Sequence, residues 1–443
     1  METSLDIVLQ FILEIKWHDI PPEVQHQSRR CLMDTLGALI AGTETPVGML
    51  MARIATAQFN GNEATILVSG KRTSASGAAL VNGFAGNALD IDDGYRLIKG
   101  HPGSCILPVV LSASEVADNC PGRQFLTAMI VGYEIGIRAG LIRHAVYPTY
   151  HTSGSWGAIS GAAAAGKLMG LDGNALLNAM GTAEYHAPIA PMMKGIETPS
   201  MGKDSIGWGT MVAMMSVLMA EKGFTGIKPI FDDTPQREWV ESLGYHYEIL
   251  NLYFKPYAAC RWAQPAIAGA LKVSKDNEII PEDIVRIQVR TFKEAKSLSD
   301  IHPQNTEEAQ YNLAFPLAAA LIDGEVGPEQ IQPPRIFESQ ILKLADKVET
   351  EVSEVFDQLF PEKTCAEVII HTKTGASFSS DTMEAPWEPP NNLPSDSEIE
   401  EKFHGLVDPI LGVQQTHQLC SLIWNLDNCH NIRELIGLCV KGK

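Results

Sequence analysis

From residue 4 to about residue 260 the apolar positions recur at the spacing of one face of an α-helix. PPEVQHQSRRCLMDTLGALIAGT starts at a proline pair and its pattern stops at Gly42, so it predicts a helix with both ends marked. SASGAALVNGFAGNALDIDD and GRQFLTAMIVGYEIGIRAGLIRH repeat the pattern. SGSWGAISGAAAAGKLMGLDG is rich in Ala and Gly, which predicts a helix packed closely inside a helical core. No strand-like alternation is visible in this half.

After about residue 265 the period changes. In PEDIVRIQVRTF, Val285, Ile287, Val289 and Thr291 alternate with Arg286, Gln288 and Arg290, the pattern of a half-buried strand. AEVIIHTKTGASFSS predicts two short strands around a turn at Thr374-Gly375, and KVETEV (347–352) a third. TEEAQYNLAFPLAAALIDG between them reads as a helix. EAPWEPPNNLPSDSEI, crowded with Pro and Asn, marks a boundary near 385–397, and the tail after it is helical again. The predicted architecture is mainly α. A large all-helical domain is built from both chain ends (1–265 and 397–443), with a smaller α+β domain, 266–396, inserted.

Composition narrows the function classes. A chain of 443 residues, 45% hydrophobic and 20% charged, is ordinary for a globular protein of two domains. A net charge of −19 argues against a nucleic-acid partner and against an anionic membrane surface. The N-terminus has no basic flank of the signal-peptide kind. Apolar runs such as MVAMMSVLMA (211–220) stop near ten residues, about half a membrane span. The expectation is a cytoplasmic protein with no membrane partner. The eight cysteines form no C-x-x-C pair and sit in apolar contexts, as reduced core thiols do.

Several motifs fail. GAAAAGKL (161–168) has Leu168 where a phosphate loop needs a hydroxyl, and no strand precedes it. No G-x-S-x-G elbow exists. Asp90, Asp92, Asp93 and His101 lack the ligand pattern of an EF-hand loop, and no metal is expected. Four stretches remain in which polar residues and Gly or Pro interrupt apolar surroundings. DIDDGYRLIKGHPG runs from Asp90 to Gly103. YPTYHTSGSWG holds Tyr147, Tyr150, His151 and Ser153. SMGKDSIGWG holds Lys203 and Asp204, and FKPYAACRW holds Lys255, Tyr257, Cys260 and Arg261. Two imidazoles with two or three cations suit a polyanionic small molecule and a proton transfer.

These stretches resemble the MmgE/PrpD family, which includes 2-methylcitrate dehydratases, cis-aconitate decarboxylases and iminodisuccinate epimerase. The shared motifs are A-L-D-I-D-D, G-H-P-G, H-T-S-G-S-W-G, M-G-K, G-F-T-G and K-P-Y-A-A-C-R, and the likeness runs through the whole chain. It implies a homodimer, a cleft between two domains and no metal or organic cofactor. It carries the family's active-site positions onto Asp90, His101, His151, Lys203, Lys255 and, from the small domain, Tyr311. The implied chemistry is proton transfer α to a carboxylate of a small di- or tricarboxylate. His151 would be the general base and His101 the acid or second base, with Asp90 orienting an imidazole. Lys203, Lys255 and Arg261 would bind carboxylates, Tyr311 would donate a hydrogen bond or proton, and Cys260 would line the pocket.

A cofactor-independent lyase (hydro-lyase or decarboxylase) is the first reading. Epimerisation of a dicarboxylate such as iminodisuccinate is the alternative, and a non-catalytic carboxylate-binding protein is the reading of another class. Two positions depart from the family pattern. His101-Pro102-Gly103-Ser104-Cys105 stands where many dehydratases have H-P-S-D-N, and Gly94 where the decarboxylases have threonine. Asp92 and Asp93 are expected only to cap or to bond the backbone.

Overall fold

The structure, a computed structural model, describes residues 3–147, 149–232, 234–390 and 392–442. It is mainly helical, with a small α+β part. The predicted helices form at Pro22–Gly42, Ala75–Asn87, Gly122–Val146 and Gly154–Leu168. Gly154–Leu168 lies at the centre, packed by Gly122–Val146, Pro102–Val116 and Ile206–Glu221. Its Ala and Gly residues are almost all buried, so its neighbours approach closely.

One helix is longer than the uninterrupted apolar runs of the sequence. Gly122–Val146 is long and apolar enough to cross a bilayer, but 94% of its most apolar window is buried against other helices. Scattered Gly, Thr and Arg break the apolar run in the sequence and hide its length. The absence of strands from the helical half is corrected: Ala64–Thr65 pairs with Arg72–Thr73. Glu115, fifty residues on, holds this ladder through the Thr65 N–H (2.6 Å), the Thr65 hydroxyl (2.8 Å) and Arg72 (2.7 Å). Such a remote anchor leaves no local period to read.

In the α+β part, Ile284–Thr291 is paired parallel with Val348–Val352 and antiparallel with Cys365–Thr372, which pairs in turn with Ser377–Ser379. Gly375 turns that hairpin with φ 84°. Gln264–Asp276 covers one face of the sheet. The other face carries ion pairs such as Arg286–Glu349 and Arg290–Glu351. Val285 is not on the buried face. A register irregularity between Ile284 and Arg286 puts Ile284 in the core and leaves Val285 48% exposed.

The single helix expected over 306–324 is two, Thr306–Gln310 and Ala314–Asp323, broken at Tyr311. The Asn312 side chain accepts from the Phe315 N–H (2.7 Å), and Pro316 favours a first turn, so a new helix starts there. Beyond the Pro-rich stretch, Asp396–Leu411 packs on Pro22–Gly42, with Arg30–Asp396 and Lys402–Asp34 ion pairs across the contact.

Candidate active site

The stretch from Ala88 to Gly103 links two buried helices, and its three carboxylates have separate tasks. Asp92 accepts from Asn87 Nδ2 (3.0 Å) and the Ser104 hydroxyl (2.6 Å). Asp93 accepts from the Gly103 N–H (2.9 Å) at the start of helix Pro102–Val116 and from the Tyr133 hydroxyl (2.7 Å). Gly103 leaves room for this contact, since a Cβ there would fall 2.2 Å from Thr35 Oγ1 and 2.8 Å from Asp93 Oδ1. Only Asp90, held in a left-handed conformation with φ 51°, reaches the cavity.

Asp90 is the centre of a buried ion cluster. Its Oδ1 lies 3.1 Å from Lys255 Nζ, 3.4 Å from His101 Nε2 and 4.0 Å from Lys203 Nζ. Lys203 also donates to the Asn87 carbonyl (2.6 Å) and Gln310 Oε1 (2.5 Å). Burial would push the Asp90 carboxyl up. Lys255, then Lys203 and His101, overcome it and hold the group well below the usual carboxylate range. Burial pulls the Lys203 ammonium down, with Asp90 opposing.

His101 Nδ1 is 2.9 Å from the Asp93 carbonyl. A carbonyl only accepts, so Nδ1 carries the hydrogen, and Nε2 is the ring nitrogen that faces Asp90. The donor atoms of Asp90, Asp92 and His101 lie within 4.8 Å of one another, close enough for a cation. Their partners do not suit one: two ammonium groups already face Asp90, and Asn87 and Ser104 take Asp92.

Behind this cluster, burial and then the neighbouring Asp34 push the Asp93 carboxyl up to about 8. An acid with a higher pKa folded than unfolded holds its proton more tightly in the native state. Its stabilising contribution is complete below about pH 4 and is lost as the pH rises through about 8. The unfolding midpoint of the wild type should therefore fall more steeply over this window than that of Asp93→Asn, in which the amide replaces the protonated carboxyl. Identical slopes in melts recorded at several pH values would show that Asp93 is not protonated in the folded protein.

The cavity is narrow, with about 40 Å³ open to the centre of a water-sized sphere. Asp90, His101, Tyr150 and Asp204 line it from the helical half, and Tyr311, Phe360 and Thr364 from the α+β part. A hydrogen-bond chain crosses its floor. The backbone N–H of His101 donates to Ser153 Oγ (3.1 Å), the Ser153 hydroxyl to Asp204 (2.8 Å), and the Tyr311 hydroxyl to the other Asp204 oxygen (3.4 Å). Cys260 lines the wall, where burial and then Asp90 push its thiol up to about 12, so it stays a neutral thiol. All eight cysteines are free and buried.

Three cations line the cavity. Arg261 and Arg96 share Glu388, and Arg261 also donates to the Pro386 carbonyl (3.0 Å). Lys99, with φ 47°, lies over the rings of Tyr150 (5.2 Å) and Phe360 (5.3 Å). Among the described residues it has no carboxylate within ion-pair distance.

The structure thus brings together Asp90, His101, Tyr311, Cys260 and Arg261 around the cavity, with Lys203 and Lys255 behind it against Asp90. His151 is not among the lining residues. Its Nδ1 bonds the Thr149 carbonyl (2.9 Å), its ring stacks on His144 (4.4 Å), and its buried Nε2 has no partner. Burial lowers its pKa, favouring the neutral ring. Tyr147 is exposed. Arg96, Lys99, Tyr253 and Glu388 were missed as site residues. Arg96 and Lys99 lie inside the Asp90–Gly103 stretch itself, where a charge beside Gly and Leu reads as solvated surface.

Comparison with known proteins covers both halves of the chain. Residues 8–239 match the MmgE/PrpD N-terminal domain and residues 257–428 the MmgE/PrpD C-terminal domain. The chain is 24% identical to the cis-aconitate decarboxylase-like protein oryM of Aspergillus oryzae, over 97% of this chain and 95% of that one. It is 24% identical to the cis-aconitate decarboxylase of Homo sapiens (97% and 92%) and to that of Aspergillus terreus (95% and 92%). With both domains matched in order along most of its length, the chain belongs to the MmgE/PrpD family.

Proposed function

We propose that the protein is a cofactor-independent lyase that moves a proton at the carbon next to a carboxylate of a small di- or tricarboxylate. The observation that carries this reading is the placement of His101 Nε2 beside Asp90 in a cavity lined by Lys99, Arg96 and Arg261. Asp90 Oδ1, 3.4 Å from Nε2, fixes the imidazole at the cavity wall. The cations would hold substrate carboxylates and stabilise the negative charge that builds up as the α-carbon loses its proton or its carboxylate.

In a dehydration, Nε2 takes the α-proton, the C–H electron pair forms the double bond, and the hydroxyl departs as water with a proton from Tyr311 or solvent. In a decarboxylation, the C–C bond breaks, carbon dioxide leaves, and the electron pair on the α-carbon is protonated by the His101 imidazolium. Relatives named as cis-aconitate decarboxylases support the second form. Epimerisation of a dicarboxylate such as iminodisuccinate is the second reading. Tyr311 favours it by adding a further proton carrier to the cavity.

The test is NMR of the purified protein in D₂O with citrate, methylcitrate, cis-aconitate and iminodisuccinate. Release of carbon dioxide or water, or deuterium entering an intact substrate, is expected with at least one of them, and the product chooses between the forms. Saturable binding of a panel member with none of these changes would leave the non-catalytic binder as the correct reading.

A further inference from the structure

Tyr253 enters the cavity under unusual constraint. Its backbone is paired with Gly94 in both directions, Gly94 N–H to the Tyr253 carbonyl (3.0 Å) and Tyr253 N–H to the Gly94 carbonyl (2.9 Å). The phenol end of the ring then crowds Gly94. A Cβ built on Gly94 falls 2.3 Å from both Cζ and the hydroxyl oxygen of Tyr253. The Arg261 guanidinium lies over the same ring, 4.1 Å from its centroid, so the ring has little room to move aside. Gly94 does not have a positive φ. Glycine is needed there for space, not for backbone conformation.

The three tyrosines that line the cavity differ in what their hydroxyls do. Tyr150 donates to the Lys99 carbonyl (2.8 Å) and Tyr311 to Asp204 (3.4 Å). The Tyr253 hydroxyl makes no hydrogen bond to any described residue, although the side chain is only 4% exposed. Burial, opposed by Arg261, keeps the phenol protonated. A proton-bearing hydroxyl with no protein partner, on a residue that lines the cavity, is a ready donor to whatever fills the space beside it.

We propose that Tyr253 contacts the substrate directly. Its hydroxyl donates a hydrogen bond to a carboxylate oxygen of the bound molecule, and Gly94 is required because any side chain at that position displaces the ring. The inference rests on the carboxylate reading of the site and names a donor that this reading does not include.

The test is calorimetric titration of tricarballylate and of succinate into the wild type, Tyr253→Phe and Gly94→Ala, with melting curves for each. Tyr253→Phe should melt like the wild type and bind roughly tenfold to a hundredfold more weakly, the loss of one hydrogen bond to a charged acceptor. Gly94→Ala should weaken binding at least as much. In a Tyr253→Ala background, Gly94→Ala should have no further effect, because no ring remains to be displaced. Equal binding by wild type and Tyr253→Phe overturns the proposal, and so does a full Gly94→Ala effect in the Tyr253→Ala background. If neither probe binds but a member of the panel above turns over, the same comparison is made on its kcat/KM. A wild type that binds neither probe and is inert to the whole panel removes the carboxylate reading, and this inference with it.

Discussion

Replacing His101 by asparagine should lower turnover of the carboxylate that the wild type processes by roughly a hundredfold to ten-thousandfold, the contribution of a positioned general acid or base. Asparagine is the informative choice. Its side-chain N–H sits near the place of Nδ1 and can still donate to the Asp93 carbonyl, while Nε2 is deleted. The loop should therefore stay folded, and the loss should fall on kcat more than on the melting temperature. If His101→Asn kept more than a tenth of wild-type kcat, the proton would have to be carried by another group. His151 would then be the first to examine, since its buried Nε2 has no partner and would need a side-chain reorientation to reach a substrate. If His101→Asn melted many degrees lower with kcat per folded molecule unchanged, His101 would be a structural core residue and no more.

Asp90→Asn should have the largest effect on stability. Asp90 is the carboxylate that faces both Lys255, which is fully buried, and Lys203. An amide of the same shape keeps the packing and removes the charge. Breaking one side of a buried ion pair costs about 3–5 kcal/mol, a large part of a typical folding free energy of roughly 5–15 kcal/mol. The sign of the pH response follows from the lowered Asp90 pKa. A carboxylate held below its ordinary range adds stability that is present above the unfolded pKa and is lost only as the pH falls through the folded one. In Asp90→Asn this acid-labile contribution is gone. The variant should recover stability relative to the wild type as the pH rises and Lys203, whose ammonium burial already pulls down, sheds its proton. Adding Lys255→Met to Asp90→Asn should restore part of the melting temperature, because one uncompensated charge goes with it. A single variant that melts with the wild type would show that the lysines are balanced by something other than Asp90.

Much of the helical architecture was legible because a helix is encoded in its own residues. Pro22–Gly42 carries its apolar spacing, its proline start and its stop within one window. The same holds for the hairpin turned at Gly375. The misses came from interactions that cross the chain. Whether Val285 faces the core depends on the register of the partner strand, and the break at Tyr311 on where Asn312 and Pro316 start a new helix. The ladder at Ala64–Thr65 depends on Glu115. The Pro-rich stretch near 385–397 read as a boundary, yet it supplies the glutamate that joins Arg96 and Arg261.

The site divides in the same way. The residue types were readable: imidazoles, lysines and an acid cluster amid Gly and Pro in four short stretches are the groups on which the proposed polyanion and proton transfer rest. Local sequence also contains the close approach of His101 to the Asp93 carbonyl, eight residues apart, since one loop makes both. Which groups meet was decided by the tertiary structure. Lys255 reaches Asp90 across 165 positions, and Arg261 reaches Glu388 across 127. Chain packing also set His101 on the cavity wall and His151 against His144, although the two histidines look alike in their sequence contexts. The physical reason is one of range. Helix spacing and turn chemistry act over a few residues. Charge pairing, burial and the space left beside a glycine act over a few ångströms, between residues that only the folded chain makes neighbours.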